Sequence, residues 1–281
     1  MPPPTIINFT HSSSSMEEAP MFKMPTIDLS AKSLLMLFQL GVFAVFAYWS
    51  VDGGMEDAFD YVFFVMMAGA GLALFLSVPH ARIGVTLGIP ALMVVLGLAM
   101  GENEMMFWAV FMLLMIGPIA YMPAMASGDP TLGLDDESRL LRLGILWIVF
   151  SLLMLFMMSG LADMAMEGEY SESDNDGDEF TMVLDSTEQT IAQGGLAMGV
   201  IGVLVFLLTA LMGKEVGPMR PWHGGVMTGV ALLMAQYLWF TVEGAPGDQL
   251  PDLFMILCFI GIITLTPCIA YEGSSDSSEG E

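Results

Sequence analysis

The chain has 281 residues, 55% hydrophobic and 14% charged, with a mean hydropathy of +0.70, more apolar side chain than one water-soluble core can hide, so the composition indicates a membrane-embedded fold. Eight spans of roughly 20 residues would use nearly all of that hydrophobic content and leave no room for a separate soluble catalytic domain. Thirty-one acidic residues against seven basic ones give a formal net charge of −24, which excludes nucleic-acid binding through a basic patch and opposes binding of anionic lipid by the same means.

Residues 1–31 open with three prolines and contain the run Ser12 to Ser15, with no basic region followed by an apolar block. The expectation is a disordered cytoplasmic tail without a cleavable signal, in which Asn8-Phe9-Thr10 is a chance glycosylation triplet. Long apolar runs then predict helices over 33–51, 59–78, 83–100, 105–125, 140–162, 190–212, 225–243 and 253–271. The runs lack the alternation of barrel strands, and a lipid-embedded backbone must satisfy its own hydrogen bonds, so the predicted fold is all-α: a polytopic integral membrane protein with eight transmembrane helices. The first four form a unit over 32–126, joined by a cytoplasmic linker, 127–139, to a second four-helix unit over 140–271. That second unit carries an acidic outer loop, 163–189, with a short strand at Phe180 to Leu184, and an acidic disordered tail follows over 272–281.

The basic residues set the orientation. Lys23, Lys32, Arg82, Arg139, Arg142, Lys214 and Arg220 all fall in segments on one side of the predicted spans. By the positive-inside rule both termini are cytoplasmic and the chain sits in a cell membrane, on composition a prokaryotic one. Tyr48, Trp49, Tyr61, Trp108 and Trp239 then lie at the outer interface, and Tyr121, Trp222 and Tyr271 at the inner one. Nineteen acidic residues face outward with no base among them, while twelve share the inner face with all seven basic residues. The outer face is therefore a cation-attracting field; an acidic surface style of the salt-adapted kind accounts for it without any further role.

The two halves resemble each other weakly. Residues 84–93 align without a gap on 225–234, matching at five of ten positions, and both begin Gly-x-x-x-Gly. Gly71, Phe75 and Leu76 correspond to Gly202, Phe206 and Leu207, and Pro118-Ile-Ala-Tyr121 to the Pro267 to Tyr271 stretch. A four-span unit repeats in the same orientation, which predicts a parallel 4+4 tandem repeat about the membrane normal. Because lipid supplies no hydrophobic force between helices, close approach at small residues drives packing. Gly84, Gly88, Gly225 and Gly229, with Gly195, Gly199 and Gly202, are the expected crossings at the centre of the bundle.

No Asp, Glu, Lys, Arg or His falls in the middle of a predicted span. Buried ionisable groups mark proton relays, voltage sensors and ion-coupled pumps, so those mechanisms are disfavoured. The interior amides are Gln39 and, beside Tyr237 near the middle of its span, Gln236; together the three outline a candidate solute path. His80 and His223 occupy equivalent inner loops, where they could approach each other, but no paired ligand accompanies them for a metal. The acidic stretch around Gly177 has calcium-loop character, but Val183 stands where the closing carboxylate belongs, leaving only weak divalent-cation binding. Twenty-eight methionines, some paired at helical spacing such as Met112/Met115, Met122/Met125 and Met154/Met157, read as apolar filler rather than a copper site. Cys258 and Cys268 lie about 15 Å apart along one helix and cannot bridge. Pro90, Pro118 and Pro267 interrupt helices and free carbonyls one turn earlier.

No nucleophile elbow, phosphate loop or zinc helix is present. The expected function is that of a non-catalytic structural or accessory membrane component, not an enzyme and without a cofactor, whose partners are the lipid bilayer and other membrane proteins. The alternative is a permease or channel for a small neutral or cationic solute.

Overall fold

In the computed structural model the described residues are 27–52, 58–101, 104–173, 179–243 and 250–272. The expected tails with the Asn8 triplet, and the Asp174 to Asp178 part of the calcium-like stretch, lie outside them. A helix occupies each apolar run: α1 (Ala31–Asp52), α2 (Ala58–Phe75), α3 (Ala81–Met100), α4 (Glu104–Ser127), α5 (Asp136–Leu153), a short α6 (Leu161–Met166), α7 (Ser186–Phe206), α8 (Pro221–Thr241) and α9 (Leu250–Glu272).

Capping chemistry moves several helix starts ahead of the apolar runs. Asp135 accepts the Ser138 amide at 2.8 Å and starts α5 at Asp136. Asp185 accepts the Thr187 and Glu188 amides while Glu188 accepts that of Asp185, a reciprocal box that opens α7 at Ser186. Pro221 opens α8 in the first-turn position, where its missing N–H costs nothing. α5 and α7 each continue through a wide π turn, Met154–Met158 and Leu207–Leu211. α2, in contrast, stops short of the expected end. The Val78 amide turns back to the Ala73 carbonyl, and Ser77 and His80 take positive φ.

Among the described residues seven helices are long and apolar enough to cross a bilayer, and the chain is a helical membrane protein. The apolar part of α2, Asp60–Phe75, reaches only about 24 Å at 1.5 Å per residue, against roughly 30 Å of hydrocarbon. α1 packs on α2 and α9, α8 on α7 and α9, α3 on α4, and α4 on both α5 and α9. α4 and α9 are thus the central pair, and fully buried Met115, Ile116 and Ile119 on α4 and Phe259, Ile262 and Ile263 on α9 form the middle of the core. Trp147 of α5 stacks on Phe206 of α7 at 4.0 Å between centroids, and Phe150 meets Phe259 edge-on at 5.6 Å.

Five of the seven marked glycines stand at close approaches. A Cβ on Gly202 would lie 2.9 Å from the Gly224 carbonyl, so α7 and α8 touch backbone to backbone there. Gly195 faces Met234, and Gly199 faces Leu155 and Ala231. Gly225 lies against Pro267 and the Ile263 carbonyl, and Gly229 against Thr264, so both bring α8 onto α9. Gly84 and Gly88 correct the expectation. Both are exposed, and a Cβ added at either would meet nothing within 4 Å, because α2 leans on α1 and leaves the adjoining face of α3 uncovered.

The acidic segment between α6 and α7 adds strands to the helical body among the described residues. β1 (Glu169–Ser173) and β2 (Glu179–Val183) pair antiparallel, Tyr170 opposite Met182. The expected strand is therefore present, one residue earlier and with a partner the sequence did not announce. Tyr170 and Phe180 pack against Trp239 of α8, whose indole N–H donates to the Ser159 carbonyl at 3.0 Å. Gln193 donates to the Ala165 carbonyl at 3.2 Å, tying α7 to α6.

Candidate functional site

Prolines inside a helix leave the carbonyl four residues earlier without its usual donor, a costly vacancy in a buried core. Pro118, Pro123 and Pro267 free three such carbonyls in the central pair, and two of them meet a side chain from another helix. Pro123 of α4 frees the Ile119 carbonyl, and buried Gln39 of α1 donates its Nε2–H to it at 2.7 Å. Pro267 of α9 frees the Ile263 carbonyl, and Trp147 of α5, fully buried, donates its Nε1–H to it at 2.8 Å. The two bonds tie α1 to α4 and α5 to α9. Gln39 is thus engaged with backbone, and Trp147, unmarked in the sequence, does the equivalent work. The signal available for it is a lone Trp in an uncharged run whose N–H needs an acceptor.

Gln236 and Tyr237 diverge, as adjacent helical positions do. Gln236 is 8% exposed and Tyr237 is 53% exposed on the outer surface of the bundle. Since α8 begins at Pro221 rather than 225, Gln236 lies about 7.5 Å from the helix midpoint toward its C-terminal end, not at the middle. Among the described residues Gln236 has no hydrogen-bonded partner. The structure does not bring Gln39, Gln236 and Tyr237 onto one surface: Gln39 faces α4, and Tyr237 faces outward.

The histidines have separate surroundings. His223 accepts the Arg220 amide on Nδ1 at 2.9 Å and stacks on Trp222. His80 lines a cavity of 460 Å³ at the end of the bundle where the α2–α3 turn meets the α4–α5 linker, together with Arg82, Tyr121, Thr131 and Arg142. Arg82 pairs with Asp129 and also donates to Thr131. Burial pushes the Asp129 carboxyl upward, but hydrogen bonds from Thr131 and the charge and hydrogen bond of Arg82 outweigh it and hold the group below its ordinary 3.8. Arg139 pairs with Asp136 and donates to the Met125 carbonyl, while Arg142 has no ion pair among the described residues. Sequence reasoning missed this gathering because the basic residues that form it come from two segments about 60 positions apart in the chain.

Among the described residues no three His, Cys, Asp or Glu side chains form a group able to hold a metal ion. Cys258 and Cys268 form no disulfide. The methionine pairs are divided: Met122 and Met125 are buried together, whereas Met154 is buried and Met157 exposed. No protein-family model, characterised protein or solved structure matches this chain.

Proposed function

We propose that the protein is a non-catalytic structural or accessory component of a cell membrane, crossing it eight times with both termini on the cytoplasmic side. The observation that carries this reading is the use made of interior polarity. Gln39 and Trp147 are spent on proline-freed carbonyls, and the space between α4 and α9 is filled by apolar side chains. A transport path needs polar groups left available to a solute.

The eight-span count is supported by α2, which starts at the end where α1 finishes and reaches the turn that Arg82 ties to Asp129 after α4. The contact of Gln39, in the first half of α1, with Ile119, in the second half of α4, supports the beginning of α1 lying toward that same end. Duplication is supported by the matching α3–α4 and α8–α9 pairs, by the cross-pairs α1–α9 and α5–α4, and by the equivalent side-chain donors. On this reading Pro267 corresponds to Pro123 rather than to Pro118. The second helices depart from it, since α2 packs on α1 whereas α7 packs on α8.

Purified protein in lipid vesicles tests the function. Flux of small neutral solutes and monovalent cations should equal that of protein-free vesicles. Two observations favour the permease instead: the hydroxyls of Thr86, Ser151 and Thr266 are buried without a bonded partner among the described residues, and Gln236 is largely buried with its side chain unbonded there. A reproducible flux abolished by Gln236→Leu would establish that reading and remove the accessory one.

A further inference from the structure

We propose that the protein binds one anionic glycerophospholipid, its phosphate at the cavity formed by His80, Arg82 and Arg142 and one acyl chain along the groove between α2 and α3. The cavity has a volume of 460 Å³ and the groove a further 300 Å³, and Ala81 lines both, so headgroup space and chain space adjoin at the start of α3. The first residues of α3, Arg82 and Ile83, line the cavity, and the helix start carries no side-chain cap. Uncapped amides at a helix N-terminus and a guanidinium fork suit a phosphate. Arg82 is held by Asp129 and Thr131, and Asp136 holds Arg139; Arg142, with no ion pair among the described residues, supplies the charge that remains.

The groove identifies the anion as part of a lipid. Its walls are small and apolar, Gly69, Ala70 and Ala73 on α2 against Gly84, Val85 and Gly88 on α3. From Ala81 to Ile89 it runs about 12 Å along α3, close to the roughly 15 Å depth of one hydrocarbon leaflet. Gly69, Gly84 and Gly88 leave open space where side chains would stand, so an acyl chain can lie against helix backbone. The net charge of the chain opposes anionic lipid in general, but three of its ten basic and histidine side chains converge at this groove mouth.

The test is native mass spectrometry of the full chain released from vesicles of equal phosphatidylglycerol and phosphatidylcholine content. The wild type should retain phosphatidylglycerol over phosphatidylcholine, and Arg142→Gln should cut that preference about tenfold. Gly88→Leu, which fills open space, should lower phosphatidylglycerol retention while the protein remains folded by size-exclusion profile. Lys214→Gln, an exposed basic residue in the α7–α8 loop, should keep the wild-type preference. Equal retention of the two lipids overturns the proposal, as does wild-type retention by both Arg142→Gln and Gly88→Leu. A loss with Lys214→Gln equal to that with Arg142→Gln also overturns it, by making the preference a matter of net charge. So does thermal stabilisation of wild type and Gly88→Leu alike by inorganic phosphate, with phosphatidylglycerol no better than phosphatidylcholine, since the cavity would then hold a free anion.

Discussion

Trp147→Phe removes one N–H and keeps an aromatic ring to stack on Phe206, so it isolates the bond to the Ile263 carbonyl. Interhelical hydrogen bonds in membrane proteins average about 0.6 kcal/mol, because the separated helices find other partners. The Ile263 carbonyl has no such substitute within its own helix, since Pro267 removes the donor that would serve it. The cost should therefore reach the upper end, about 1–2 kcal/mol. Restoring that donor with Pro267→Ala makes the indole redundant, and in that background Trp147→Phe should cost less than about 0.5 kcal/mol, leaving a coupling of roughly 1 kcal/mol. Denaturant unfolding of the four proteins of the cycle in one detergent measures it; Pro267 also packs on Gly225, but that loss is common to both Pro267→Ala proteins and cancels. Equal costs of Trp147→Phe with and without the proline would refute the argument that the side chain serves the vacancy the proline creates.

Two further outcomes follow from the packing and the charges. Gly202→Ala drives a methyl into the Gly224 carbonyl and Thr228, and unfolding should show a loss of about 1–3 kcal/mol, whereas Gly84→Ala and Gly88→Ala should be neutral or gain up to about 1 kcal/mol from helix propensity; a comparable loss at all three positions would contradict the open α2–α3 face. Asp129 has a lowered pKa, so its contribution is present above the ordinary carboxylate value of about 4 and is lost as pH falls through the folded value. Thermal melts should then find Asp129→Asn less stable than wild type at neutral pH, with the gap closing in acid, and a gap that widens in acid would reverse the assignment.

Much of the architecture is legible in the sequence because it rests on composition and periodicity. The apolar runs locate every long helix, since a lipid-facing helix must be apolar along its length. Hydropathy places the starts of α5, α7 and α8 too late, because Asp135, Asp185 and Pro221 begin those helices in polar sequence that an apolar run excludes. What a residue faces is not legible. Gly84 and Gly225 open the same Gly-x-x-x-Gly pattern, yet one meets open space and the other Pro267; the pattern specifies a small surface, and a second helix has to supply the contact. The donors to the freed carbonyls are hidden for the same reason, since Pro123 and Pro267 announce vacancies but not which of Gln39, Gln236 or Trp147 will fill them. The basic cavity is out of reach of a charge count, which records how many guanidinium groups there are and not that Arg82 and Arg142 line one space.

The proline-freed carbonyls impose an order on biosynthesis. Gln39 precedes Ile119 by 80 positions and Trp147 precedes Ile263 by 116, so each donor emerges from the ribosome well before the acceptor it will serve. Neither α4 nor α9 can settle alone in hydrocarbon without an unanswered carbonyl, and each finds its answer on a helix inserted earlier. α9, the later of the two acceptors, therefore has to dock on helices already in place, which makes its insertion the step that completes the second of these bonds.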